Sequence, residues 1–388
     1  MSNHNDSIHC TRYYTFIKQL IHFIHLTKWP FLCDCLNELI GTTIFIIFGL
    51  GVMIQTNMNV INNNNNNNDD NNNNNNGQYI SISMGWGIAK IIGLLISTGG
   101  GGGGGGFGAN GANDADGGCA NGGDGDDGSG GGHSNRCHDD HSGLLNPSIT
   151  FAYCLIGKLS LRYLIPYTII QLLGSILGTY IIITIYWENI QIYTKLISNG
   201  KLEMNTTGSL LVNLPGPISH SSCLLDSILS NTIYIWIILI ITDKNISNHI
   251  SNELQLIYIG LLIMGINESL SLNIGIGLNP ASDLGARITI SLCGWGIQAF
   301  KAYNYYFWLP IIGPYIGALI GTLFYGFTIC IHFISFNDYD HNYTNNKECT
   351  MIDTTSNYCQ SSLIEEMNED LFNITEIDDC FTDSKETL

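Results

Sequence analysis

Gly277-Leu278-Asn279-Pro280-Ala281-Ser282-Asp283-Leu284-Gly285-Ala286-Arg287 is the stretch on which the fold turns, because Leu144-Leu145-Asn146-Pro147-Ser148 repeats its centre in the first half of the chain. Asparagine is a good helix N-cap and proline is favoured at the first helical position. Each Asn-Pro-small tripeptide therefore reads as the start of a helix, with free N–H groups and the positive dipole end gathered at the asparagine. A single Asn-Pro-Ala is ordinarily a turn. Asn146-Pro147-Ser148 and Asn279-Pro280-Ala281, each placed before a short apolar segment, form a repeat.

Working outward, six apolar stretches reach the length of about 20 residues needed to cross a bilayer as helices. They lie near Leu36–Gln55, Tyr79–Thr98, Leu161–Tyr186, Cys223–Ile241, Leu254–Ile274 and Phe307–Phe333. The first opens with Glu38-Leu-Ile-Gly-Thr42 and the fourth with Asp226-Ser-Ile-Leu-Ser230, each a carboxylate one helical turn before a hydroxyl. Three spans per half give the second half the opposite membrane orientation, and such inverted repeats put a site at the midplane, built from broken helices. Two short helices entering from opposite sides would bring both asparagine amides to one point. There each could donate to a passing oxygen while the converging positive ends oppose cations and protons. Gly313, Gly317 and Gly321, four residues apart, mark a face on which helices approach closely.

Composition agrees with a membrane chain: 45% of the 388 residues are hydrophobic and 12% are charged, against about one-quarter charged in soluble domains. The formal charge of −18 sits in appendages, with 13 acids and two bases from Asn337 onward and seven acids with Arg136 in Gly99–Gly143. No basic patch remains to neutralise phosphates, which excludes a nucleic-acid partner. The sequence predicts a cytoplasmic N-terminal segment over 1–35, a channel domain over 36–333 and an acidic disordered tail over 334–388. Low-complexity insertions interrupt the domain at 62–76 and 99–142; both are too polar to bury a core of their own. Thr15–Leu26, before Trp29 and Pro30, alternates apolar and His/Lys positions and reads either as a surface-lying helix or as a disordered lead-in. Nothing before the first span has the pattern of a secretory signal. The 12 cysteines include no CxxC pair, and disulfides are not implied.

These residues resemble the major intrinsic proteins, the aquaporins, and among them the aquaglyceroporins. The likeness covers most of Leu36–Phe333 and includes Asn37-Glu38, Gly41-Thr42, Gly85-Trp86-Gly87, Gln171-Leu172-Leu173-Gly174, the Asn279 stretch, Gly294-Trp295-Gly296 and Pro310 to Pro314. Asp283 and Gly294-Trp295-Gly296 are similar to the glycerol-conducting branch. The resemblance implies an all-α polytopic fold of six transmembrane helices and two half-helices. It further implies cytoplasmic termini, a homotetramer with one pore per subunit, and a place in the plasma membrane or an internal membrane. Arg12, Lys18, Lys28, Lys158, Arg162 and Lys244 would then lie inside, and Lys195, Lys201 and Lys301 outside.

The family's pore motifs map to Asn146, Pro147, Ser148, Asn279, Pro280 and Ala281. Its selectivity filter maps to Met84, Asn267, Ile276 and Ser282, with Ser282 standing where the family has an arginine and Leu144 where it has a histidine. Such a filter is wide and uncharged, suited by size to polyols. Glu38 and Asp226 match buried carboxylates that accept loop N–H groups, and Asp283 and Arg287 are spaced to pair. Lys90 and Glu268 have no counterpart. Lys90 is placed away from the Met84 side of its helix and reads as an ion partner of Glu268, a snorkelling side chain or a subunit contact. Glu268 reads as a pore-mouth charge or a contact to a neighbour.

Cys119, His133, Cys137, His138, Asp139, Asp140 and His141 have ligand chemistry but no compact metal spacing, and the glycine run has no strand before it, so neither a metal nor a dinucleotide is expected. Asn205-Thr206-Thr207 is a glycosylation sequon. No nucleophile and base stand at a readable spacing, and neither catalysis nor a cofactor is expected. The sequence thus predicts a passive channel for glycerol or a similar small neutral solute, with water. A leaky ammonium- or ion-permeable channel, motivated by Ser282 and Glu268, and a weakly conducting membrane scaffold are the alternatives.

Overall fold

The computed structural model describes residues 29–66, 76–98, 143–243, 246, 249–275 and 277–330. The chain divides into a unit Met1–Phe327 and a unit Thr328–Leu388, and of the second only residues 328–330 are described. Thr15–Leu26, Lys244, the group from Cys119 to His141, Ile276 and the acidic tail fall outside the described residues.

Among the described residues every regular element is helical. In chain order they form α1 Pro30–Asn66, α2 Asn76–Ser97, the short α3 Pro147–Leu155, α4 Leu164–Ser198, α5 His220–Ile241, α6 Asn252–Leu270, the short α7 Pro280–Ile290, the kinked α8 Gln298–Tyr305 and α9 Leu309–Tyr325. Six helical segments are long and apolar enough to cross a membrane. The asparagine tract enters structure at both ends, since α1 runs on to Asn66 and α2 starts at Asn76. Once nucleated in the span, a helix propagates at small cost per residue, and asparagine is at most about 0.7 kcal/mol worse than alanine.

The packing has the two-fold logic of an inverted repeat. α1 packs on α2 and α4; α5 packs on α6 and α9; α2 meets α6 across the pseudo-axis. The short helices cross over, α3 lying against α9 and α7 against α4. Glycines set these distances. A Cβ on Gly174 would lie 2.8 Å from Leu39 O and 2.9 Å from Thr42 Cβ, and one on Gly178 would lie 2.7 Å from Thr43 O. In the second half a Cβ on Gly317 would lie 2.6 Å from Asn231 Cβ and 2.7 Å from Ile228 O, and one on Gly321 would lie 2.6 Å from Thr232 O. Thr42 and Asn231 are therefore equivalent positions, and the same offset carried back from Asn231 makes Ser227, not Asp226, the counterpart of Glu38.

Candidate functional site

Both tripeptides start helices. Asn146 caps α3 and Asn279 caps α7, each in extended backbone conformation with proline at the first turn. Asn146 Oδ1 accepts from Ser148 N at 3.0 Å and from Ser148 Oγ at 2.9 Å, and Asn279 Oδ1 accepts from Ala281 N at 3.0 Å. With its oxygen held by its own helix, each amide turns its Nδ2 toward the opposite loop. Asn146 Nδ2 donates to Leu278 O at 2.9 Å and Asn279 Nδ2 donates to Leu145 O at 2.8 Å. The two helix N-termini are thus clasped by a reciprocal pair of bonds. An amide nitrogen carries two N–H groups; Asn146 also hydrogen-bonds the Tyr234 hydroxyl, while the second N–H of Asn279 has no acceptor among the described residues.

The loop ahead of Asn146 is bent to make this possible. Gly143 has φ 95° and Leu145 has φ 51°, the latter in the left-handed region that costs a side-chain-bearing residue about 1–3 kcal/mol. Glu38, fully buried on α1, stabilises the bend. Its Oε1 accepts from Gly143 N and Leu144 N, both at 2.6 Å, and its Oε2 accepts from Leu145 N at 2.8 Å and Gln171 Nε2 at 2.7 Å.

Lys90 grips the same loop from the other side. Its side chain is buried and its Nζ donates to Leu144 O at 2.9 Å, while Glu268 is exposed on α6. No Lys90–Glu268 ion pair forms, and Lys90 neither snorkels nor faces outward. The sequence offered one signal for this: Lys90 is the only charged residue in the span Tyr79–Thr98.

The second loop is held by different chemistry. Asp226 is half-buried and accepts from Ser230 Oγ at 3.2 Å, which departs from the expected contact with loop N–H groups. The position facing the loop is one turn further on, where Asn231 Nδ2 donates to Gly277 O at 3.2 Å. Behind α7, the expected Asp283–Arg287 pair forms, with Arg287 Nε 2.5 Å from Asp283 Oδ2. Arg287 also donates to Ala299 O at 2.7 Å and Asn213 O at 2.6 Å, and Asp283 accepts from Asn213 N at 3.1 Å. This cluster fastens the loop before α5 to α7.

A small cavity of about 20 Å³ opens at the clasp, room for about one water. Phe45, Trp86, Ile263 and Leu278 form its apolar wall, and Lys90, Asn146, Tyr234, Asn279 and Ser282 supply polar groups. Of the filter candidates, Ser282 is in this lining, its Oγ donating to Asn279 O at 2.8 Å. Met84 is largely exposed on α2, Asn267 is buried on α6 with an Nδ2 that has no described partner, and Ile276 lies outside the described residues. Phe45, Tyr234 and Ile263 were not singled out in the sequence, and Trp86 was named only within Gly85-Trp86-Gly87, because nothing in the sequence separates a lining aromatic or aliphatic from a packed one. At the sequon, Asn205 is exposed, but the Thr207 hydroxyl is buried, accepting from Trp295 Nε1 at 3.0 Å.

The family profile described as Major intrinsic protein matches residues 138–325. Human aquaporin-9 is 35% identical over 194 residues, covering 49% of this chain and 64% of that protein. Human aquaporin-10 is 32% identical over 191 residues, covering 48% and 62%. An aquaporin of the fungus Laccaria bicolor is 26% identical over 299 residues, covering 75% and 78%. The chain thus spans a little under two thirds of the two human relatives. Among solved structures, the X-ray structure of the aquaglyceroporin from Plasmodium falciparum superposes with a TM-score of 0.55 at 22% identity, covering 77% of this chain and 97% of that one. At that identity the likeness is one of fold.

Proposed function

We infer the function from one premise: over residues 138–325 this chain is a major intrinsic protein, and it is a multi-pass membrane protein. On that premise it is a passive channel for small neutral solutes, glycerol or a similar polyol together with water, and not an enzyme. The observation that carries the reading is the clasp of Asn146 and Asn279, which leaves a donor on the Asn279 amide and the Tyr234 hydroxyl beside a cavity that is apolar on one side and polar on the other. A chain of hydroxyls or waters passing there can hydrogen-bond along one wall, while its carbon skeleton or empty side meets Phe45, Trp86 and Ile263. Two half-helix dipoles with positive ends at this point favour oxygen lone pairs and oppose cations.

The other residues take supporting roles in this reading. Pro147, Ser148, Pro280 and Ala281 start the two half-helices, and Met84, Asn267, Ile276 and Ser282 form an arginine-free outer filter. Glu38, Asp283 and Arg287 hold the loops, and Asp226 stays with Ser230 on α5. The 36–333 segment is the channel domain, assembled in the bilayer as a homotetramer with one pore per subunit, and 1–35 and 334–388 are its appendages. Stopped-flow light scattering on vesicles containing the purified protein tests this, with water and glycerol gradients run in parallel. Flux of both solutes above empty vesicles is expected; no flux for either would overturn the channel reading and favour a membrane scaffold.

A further inference from the structure

Among the described residues lining the clasp cavity, Lys90 alone carries a cationic side chain. It is 1% exposed, so its position is not that of a residue reaching toward lipid headgroups or bulk water. Nζ gives one N–H to Leu144 O at 2.9 Å and lies 5.5 Å from the centre of the Phe45 ring, whose face favours a cation. An ammonium has three donors, and among the described residues the other two have no hydrogen-bond acceptor, the one opposite charge that acts on it being the buried Glu38 carboxylate. The nearby carboxylate, Glu38, has both oxygens taken by Gly143, Leu144, Leu145 and Gln171. The same lining carries Ser282, a neutral residue.

We infer that Lys90 is the selectivity cation of this pore. Its ammonium stands beside Asn146 and Asn279, repels small cations at the narrow polar point and donates to the oxygen of a neutral solute. A charge in a site largely closed to water acts far more strongly than one in a wide, wet vestibule. The inference rests on the channel reading and adds a determinant of selectivity to it: the barrier that an uncharged Ser282 does not provide is supplied from α2. It also makes the leaky-cation alternative the wrong outcome for the unaltered protein.

The test measures methylammonium permeability and water permeability on the same vesicles and takes their ratio. Lys90→Met removes the charge at similar length, Lys90→Gln keeps a donor for Leu144 O without the charge, and Lys90→Arg keeps the charge. The ratio is expected to rise about tenfold or more in both neutral variants and to return toward the unaltered value in Lys90→Arg. Three results overturn the inference. One is a ratio unchanged in the neutral variants. Another is sodium or methylammonium current through the unaltered protein under voltage clamp, which needs no variant. The third is failure of both neutral variants to insert while Lys90→Arg is normal, which makes Lys90 a strut for the Leu144 loop. Absence of water and glycerol flux in the unaltered protein is a separate result; it fails the channel reading itself.

Discussion

Glu38 accepts three backbone N–H groups and one side-chain amide in a water-poor interior, on a loop whose Leu145 is strained. Glu38→Gln keeps the volume but turns an amide NH₂ toward donors, so it is expected to destabilise the protein by about 2–4 kcal/mol. Thermal unfolding followed by intrinsic fluorescence in detergent checks this; a midpoint equal to the unaltered protein's would mean the loop is held otherwise. Ser282→Arg makes the opposite kind of change, placing a long cation in a lining position that now holds a short hydroxyl. Glycerol flux is expected to fall by about tenfold and water flux by less, measured by light scattering; equal losses of both would point to a blocked or misfolded pore. At this scale Asn146, Asn279 and Glu38 were legible because capping and buried carboxylates leave a chemical signature. The Asp226 register was not, because carboxylate-to-hydroxyl spacing recurs one residue away from the position that the glycine contacts define. Lys90 was not placed either, because a helical angle relative to Met84 says nothing of which side is closed over by a loop arriving from Gly143–Leu145.

Helix crossings carry the next level of determination. α1 against α4 and α5 against α9 pack through glycines whose missing Cβ atoms leave room for backbone carbonyls, Leu39 O at Gly174 and Ile228 O at Gly317. Backbone cannot retreat as a flexible side chain can, so Gly174→Leu and Gly317→Leu must push the helices apart. Each is expected to cost about 3 kcal/mol, the upper part of the usual overpacking range, and to reduce the yield of monodisperse protein on size-exclusion chromatography. A Gly216→Leu control, where a Cβ would meet nothing within 4 Å, is expected to be neutral. The four-residue spacing of Gly313, Gly317 and Gly321 was readable, as were all six spans, because apolar length needs no tertiary context. The limits of α1 were not readable, since composition marked Asn62–Asn76 as loop while the helix before it runs on to Asn66.

Across the whole molecule the two halves share a backbone plan but not its chemistry. The first loop hangs on a carboxylate and an ammonium, the second on the Asn231 amide with the Arg287–Asp283 cluster behind it. Repeat symmetry fixes where helices start and cross, and leaves each half to satisfy its own loop, which is why matching motifs in the sequence foretold the fold better than the residues facing each motif. Every described residue that lines the cavity falls between Phe45 and Ser282, within the unit Met1–Phe327. The residues from Asn337 onward carry 13 acids and two bases. Removing 334–388 is therefore expected to leave water and glycerol permeability per molecule within roughly twofold, as read by stopped-flow on vesicles matched for protein content. A larger fall would make the acidic tail part of the conduction pathway or its gate. Unchanged permeability with altered membrane targeting in cells would instead assign it to placement, because a charged segment can act on where the pore sits without acting on what it passes.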